Sequence, residues 1–190
     1  MAGIQSGGEG QGPGGFSQRD FRDAMGQFAT GVVIVSTEIE GEAHAMTANA
    51  FMSGSLDPFL VLVSIARTAR MHDRLRTAGH FGVSVLSQSQ QWISNHFAGR
   101  PSPDRRPAFE PLSRTPVVAG AAVRLSADLR HEYACGDHTL YVGEVRALQV
   151  DREPGGPLLY YGGRYRQVAM PDWMAETMPQ ILWQENELRY

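Results

Sequence analysis

Four short segments carry residue types suited to holding a ligand by a polar edge. In Ala29-Thr30-Gly31-Val32, glycine lets the backbone approach a ligand and threonine offers a hydroxyl. In Thr47-Ala48-Asn49-Ala50-Phe51, followed by Ser53 and Ser55, small residues leave amides accessible and Asn49 both donates and accepts. Ala66-Arg67-Thr68-Ala69-Arg70 joins an apolar strand to a helix start, where free N–H groups, the helix dipole and two guanidinium forks suit a phosphate. Gly136-Asp137-His138 sets an imidazole at a turn. Each segment also has a plainer explanation: a helix stop, a solvated strand-end loop, a basic first turn, an exposed histidine. Together, amides, hydroxyls and a phosphate-suited helix start point to a nucleotide cofactor, without saying which one.

Other chemistries are disfavoured by what is missing. Lysine is absent and all 17 basic residues are arginine, which removes a pyridoxal Schiff base and a P-loop lysine. The six histidines (44, 72, 80, 96, 131 and 138) form neither HExxH nor HxH, and no GxSxG elbow occurs, so no metal site is expected. One cysteine, Cys135, excludes an internal disulfide and a Cys-rich zinc site, and is expected to be a buried or half-buried structural thiol. Gly10 to Gly15 spells GxGxxG, but no strand precedes it and Pro13 interrupts it. With a net charge of −3 and scattered charges, no nucleic-acid footprint and no membrane-steering patch is visible. No apolar run approaches the roughly 18 residues of a spanning helix. The N-terminus lacks the features of a signal peptide, and a cytoplasmic location is the default expectation.

The elements that must position these segments follow from periodicity. A flexible Gly-rich tail is expected over 1–15 and one domain over 16–168. Ser17 can cap a helix whose apolar residues Phe21, Ala24, Met25 and Phe28 recur at helical spacing, and Thr30-Gly31 stops it. Val32–Thr37 and His44–Phe51 read as a hairpin around Glu40-Gly41. The run FLVLVSIA after Pro58 is apolar on both faces, which predicts a central strand. Ala69–Ala78 and Gln88–Phe97 read as helices, with Phe81–Leu86 as a strand between them. Gly99–Pro116 reads as a Pro- and Arg-rich excursion, too long for a tight turn, that is expected to fold over another part of the protein or to contact a partner. Two long strands follow, turning at Cys135-Gly136-Asp137, then the aromatic segment LLYYGGRY. Trp173–Leu188 reads as a helix within a C-terminal extension, 169–190. The order lacks regular β–α–β alternation and fits a mainly β, mostly antiparallel barrel with peripheral helices.

Five ordered blocks carry a family resemblance: FRDAMGQFATGVVIVST, HAMTANAFMSGSLDPFLVLVSIA, FGVSVLSQSQQWISNHFAG, GDHTLYVGEV and PLLYYGGRY. In these the chain resembles the flavin reductase-like family, whose fold is an FMN-binding split β-barrel of Greek-key type. It looks most like the small reductase components of two-component flavin-dependent aromatic monooxygenases. The resemblance implies an NAD(P)H:flavin oxidoreductase, a homodimer that reduces free FAD or FMN, FAD favoured; the lack of an extra arginine cluster for a 2′-phosphate favours NADH over NADPH. Reduced flavin would then diffuse to a separate monooxygenase component. It also implies site roles. The isoalloxazine would lie against the backbone of Ala45, Met46, Thr47, Ala48, Asn49, Ala50 and Phe51, with Thr30, Val32 and Ser53 nearby. Ser64, Ile65 and Ala66 would follow the ribityl chain, and Arg70 the phosphate. His96 and Phe97 would border the flavin's nucleotide end. His138 would position the nicotinamide nucleotide, and Tyr160, Tyr161, Gly162 and Gly163 would complete that second site. The chain departs from many relatives at Arg67 and Ala69, where Ser or Lys is frequent, and at Gly54, where Val is frequent. A tightly flavin-bound oxidase on the same barrel and a non-enzymatic flavin carrier are the alternatives.

Overall fold

The computed structural model describes residues 14–168, so the expectations for 1–13 and for the Trp173–Leu188 helix lie outside the described residues. The chain opens with α1 (Gln18–Met25), β1 (Thr30–Gly31), β2 (Val33–Ile39), β3 (Glu42–Ala48), β4 (Phe51–Leu56) and β5 (Phe59–Ala66). Then come α2 (Arg70–Ala78), β6 (His80–Val85) and a short turn of helix leading into α3 (Gln91–Phe97). A hairpin, β7 (Phe109–Leu112) and β8 (Thr115–Val118), precedes the long strands β9 (Val123–Cys135) and β10 (His138–Val150). The small hairpin of β11 (Leu159–Tyr161) and β12 (Arg164–Arg166) ends the described chain.

One antiparallel sheet dominates, in the order β3-β2-β6-β9-β10-β5-β4. Its two edge strands, β3 and β4, are consecutive in sequence, separated only by Asn49 and Ala50. A flat seven-stranded sheet would hold its edges roughly 29 Å apart, from six spacings of about 4.8 Å. Two linking residues reach roughly 10 Å. The sheet therefore curls until its edges approach each other at Asn49-Ala50. The small-residue segment therefore lies at a seam.

Alternation explains the two cores. Along Val32–Val35, successive side chains face opposite sides of the sheet, and both sides are covered. Val33 and Val35 join Val63, Ile65, Phe81, Val83 and Tyr141 in one core, which Met71 and Leu75 of α2 close. Val32 and Ile34 join Leu86, Ile93 and Leu158 in the other, beside α3.

Three expectations need correction. FLVLVSIA is not central: β5 is second from the edge, its buried residues alternate, and Phe59 is 64% exposed. The face carrying Val61, Val63 and Ile65 is buried, and the other, carrying Leu60, Leu62, Ser64 and Ala66, is half-buried. Cys135 is exposed, because it ends β9 at the hairpin tip, beyond the reach of either core. The Gly99–Pro116 excursion is irregular only in its first half. The rest pairs as β7–β8, and the buried Ser36 hydroxyl donates to the Pro116 carbonyl (2.5 Å). Arg105 lies 5.8 Å over the Trp92 ring and ties the irregular half to α3.

Candidate ligand site

At the seam, two depressions share a wall. The larger, about 510 Å³, lies between α1 and the β11–β12 hairpin, with Gly26, Phe28, Thr30, Gly162 and Gly163 among its lining. The smaller, about 220 Å³, is lined by Val32, Thr47, Ala48, Ala98 and Tyr165. Asn49 and Tyr160 belong to both.

Local structure holds these walls in place. The β11–β12 turn needs residues 162 and 163 in the left-handed region (φ +58° and +74°), which glycine adopts without strain. The Gly162 N–H donates to Gly26 O (2.8 Å), and the Tyr161 hydroxyl donates to Gln27 Oε1 (2.9 Å), so the hairpin docks on the end of α1. Thr30 pairs with Tyr160. The Thr47 hydroxyl donates to Ser94 O (2.7 Å), and the Ser94 and Tyr165 hydroxyls share a hydrogen bond of 2.7 Å. One polar chain thus links β3, α3 and β12.

Thr30 Oγ1, in the wall of the larger depression, is buried without a partner, as is His96 Nδ1 on α3. Leaving such a group unsatisfied costs roughly 1–3 kcal/mol, so folded chains rarely do it without a compensating ligand or water. His96 stacks edge-on against Phe97 with centroids 4.9 Å apart. A planar ligand with polar edges fits this lining: donors and acceptors on the rim, aromatic rings beside it.

The second cluster forms where β5 meets α2. The Ser64 N–H donates to Ala50 O (3.0 Å), which ties this strand to the seam. Ala66 is in register with His138 of β10, and the Arg67 N–H donates to Asp137 O (2.9 Å). The N-cap of α2 is Ala69, which offers no side-chain cap, so first-turn amides stay available to an anion beside Arg67 and Arg70. His138 Nδ1 lies 2.8 Å from Asp137 Oδ1 and its side chain is 42% exposed. The hydrogen bond from His138, its charge and, more weakly, Arg22 hold the Asp137 carboxyl below the usual carboxylate range. With Nδ1–H donated to Asp137, Nε2 is the ring nitrogen left to meet a ligand, as acceptor in the neutral form and as donor in the protonated one.

Most sequence-derived site residues therefore gather in two clusters. Thr30, Val32, Thr47, Ala48, Asn49, Tyr160, Gly162 and Gly163 line the paired depressions. Ala50 bonds to Ser64, and Ala66 adjoins His138, with Arg70 one turn away. Ile65 is buried, and Met46 and Phe51 pack against the same core, so these offer a ligand backbone only. Ala45 packs against the other core, and Ser53 is exposed on β4. Gly26, Gln27, Phe28, Ala98 and Tyr165 line the depressions but escaped the sequence-based expectations. The helical stripe that includes Phe28 and the segment LLYYGGRY that ends at Tyr165 were the available signals. Among the described residues, no three His, Cys, Asp or Glu side chains are grouped to hold a metal.

A mainly antiparallel β fold with paired depressions at a sheet seam defines the class. The family described as flavin reductase like domain matches residues 25–169, and the chain belongs to it. An NADH-dependent flavin reductase from Rhodococcus sp is 43% identical over 152 residues, covering 78% of this chain and 85% of that protein. The reductase component of 4-hydroxyphenylacetate 3-monooxygenase from Thermus thermophilus is 38% identical over 151 residues, covering 80% and 97%. The solved structure of the flavin reductase PheA2 in its native state superposes with a TM-score of 0.78 at 42% identity, covering 82% of this chain and all of that one.

Proposed function

We propose that this protein is an NADH-dependent flavin reductase that reduces free FAD or FMN for a separate monooxygenase component. The observation that carries this is the shared wall: Asn49 and Tyr160 border both depressions, so two planar ligands can meet there. Bound NADH and flavin supply the hydride-transfer chemistry themselves. The chain's own work is to bind and orient. The Thr30 hydroxyl and the backbone from Ala45 to Phe51 receive the flavin ring's polar edge. Ser64, Ile65 and Ala66 follow the ribityl chain, and Arg70 with the first-turn amides of α2 meets the phosphate. His96 and Phe97 border the flavin's nucleotide end. His138 holds the nicotinamide nucleotide through Nε2, and Tyr160, Tyr161, Gly162 and Gly163 wall that side.

Three structural points belong to the same proposal. The curled sheet supports a split β-barrel spanning 16–168, between a tail over 1–15 and an extension over 169–190. Exposed apolar residues on β4, β5 and β10 support a homodimer. A reaction that draws on NADH fits a cytoplasmic enzyme.

The test follows the absorbance of the reduced nicotinamide with added FAD, FMN or riboflavin. Flavin-dependent oxidation of NADH, faster than of NADPH, is expected. Oxidation that ignores added flavin, or none at all, refutes the proposal. In the same assay His138→Ala is expected to raise the KM for NADH about tenfold, the loss of one hydrogen bond of about 1.4 kcal/mol, while flavin still binds.

A further inference from the structure

We propose that His72, acting through Thr139, is a positioning residue that fixes the phosphate-binding turn of α2. The proposal rests on the functional reading above and adds to it a group that no step of binding or hydride transfer uses directly.

His72 is a histidine with only 9% of its surface exposed, and both ring nitrogens are engaged. Nδ1 lies 2.9 Å from Asp73 Oδ1 and Nε2 lies 3.0 Å from Thr139 Oγ1. One proton assignment satisfies all three groups: Nδ1–H donates to the carboxylate, and Nε2 accepts from the threonine hydroxyl. The Tyr141 hydroxyl donates to the His72 carbonyl (2.9 Å), and the two rings meet edge to face at 5.7 Å. Thr139 and Tyr141 thus bind side chain and backbone of one residue from a neighbouring strand.

The location gives this network its consequence. His72 sits in the first turn of α2, where its N–H donates to Ala69 O (3.0 Å). That turn has no side-chain cap, and a nine-residue helix beginning on Ala69 frays without help. Amides in a frayed turn do not converge on an anion. Thr139 lies next to His138, on the opposite face of β10, and pairs with Ile65 beside Ala66. The His72–Thr139 bond therefore locks the helix start onto the two strand ends that carry Ala66 and His138. A long-range bond replaces the missing local cap and leaves the Arg70 and Met71 amides free for ligand.

Riboflavin has no phosphate and FMN and FAD do, which separates positioning from general stability. The experiment measures flavin fluorescence quenching and steady-state kinetics for wild type, Thr139→Val and Thr139→Ser. In Thr139→Val the Kd for FMN and FAD should rise about tenfold, while that for riboflavin and the kcat at saturating flavin stay within about twofold. Thr139→Ser, which keeps the hydroxyl, should restore FMN binding. An equal loss for all three flavins, or no loss for any, overturns the proposal. If Thr139→Val does not fold, Tyr141→Phe must still raise the Kd ratio of FMN to riboflavin, and an unchanged ratio overturns it. A wild type without flavin-dependent NADH oxidation would instead defeat the functional reading.

Discussion

At the scale of single residues, the site is marked by polar atoms that the fold leaves unsatisfied. Thr30 Oγ1 is buried with no partner in the ligand-free chain. Thr30→Val should therefore leave stability unchanged or raise it, because it removes an unmet hydroxyl. The same substitution should weaken flavin binding about tenfold, the cost of one lost hydrogen bond of about 1.4 kcal/mol. Urea unfolding and fluorescence titration report the two signs; lower stability of the variant together with intact flavin binding would show a structural role instead. Tyr141 makes a second residue-scale prediction. Burial, then the Glu132 charge, pushes its phenol up to about 12 from 10.0. The folded state thus holds the proton more tightly than the unfolded chain. Its contribution to stability is intact below pH 10 and is lost as pH rises toward 12. Tyr141→Phe should flatten this alkaline decline, measured as the change in Tm between those limits.

At the scale of elements, periodicity in the sequence foretold most strands and helices, because alternation and capping are local properties. Ser17 does cap α1: its hydroxyl accepts the Asp20 N–H (3.1 Å), and the Asp20 carboxylate accepts the Ser17 N–H (2.8 Å). Which face of an element is covered was not legible. The apolar residues of α1 are all unburied, and β5 leaves one face only half-buried. Nor did local pattern show how closely strands approach. Gly143 sits at a register shift in β10, where an added Cβ would lie 2.5 Å from Phe81 Cζ and 2.9 Å from Ala127 Cβ. Phe81 is fully buried and has no room to retreat. Gly143→Ala should cost about 1–3 kcal/mol of overpacking, read as a lower urea midpoint at constant m-value.

At the scale of the whole molecule, exposed apolar surface asks for a partner. Met52, Leu56 and Phe59 around the β4–β5 turn are 60%, 71% and 64% exposed, and Leu148 and Val150 end β10 in the same state. A chain that stayed monomeric would rarely display so many large apolar side chains. Light scattering should return twice the chain mass, and Leu56→Glu with Phe59→Glu should shift it toward the monomer. A monomeric wild type would overturn the dimer. If the dimer closes the seam, the monomeric variant should also lose flavin affinity.

What the sequence determined by itself was local. Small residues at Thr47–Ala50, two arginines at a helix start and a histidine at a turn marked the candidate segments, because side-chain size, charge and turn preference are written residue by residue. What only the tertiary structure decided was their meeting. Thr30 pairs with Tyr160, and Ala66 with His138, across long stretches of chain. The exposure of Cys135, the pairing of β7 with β8, and the burial of His72 against Thr139 were likewise decided at a distance. Local pattern sets which way a side chain points from its own strand or helix. Strand pairing and long-range packing set what it finds there.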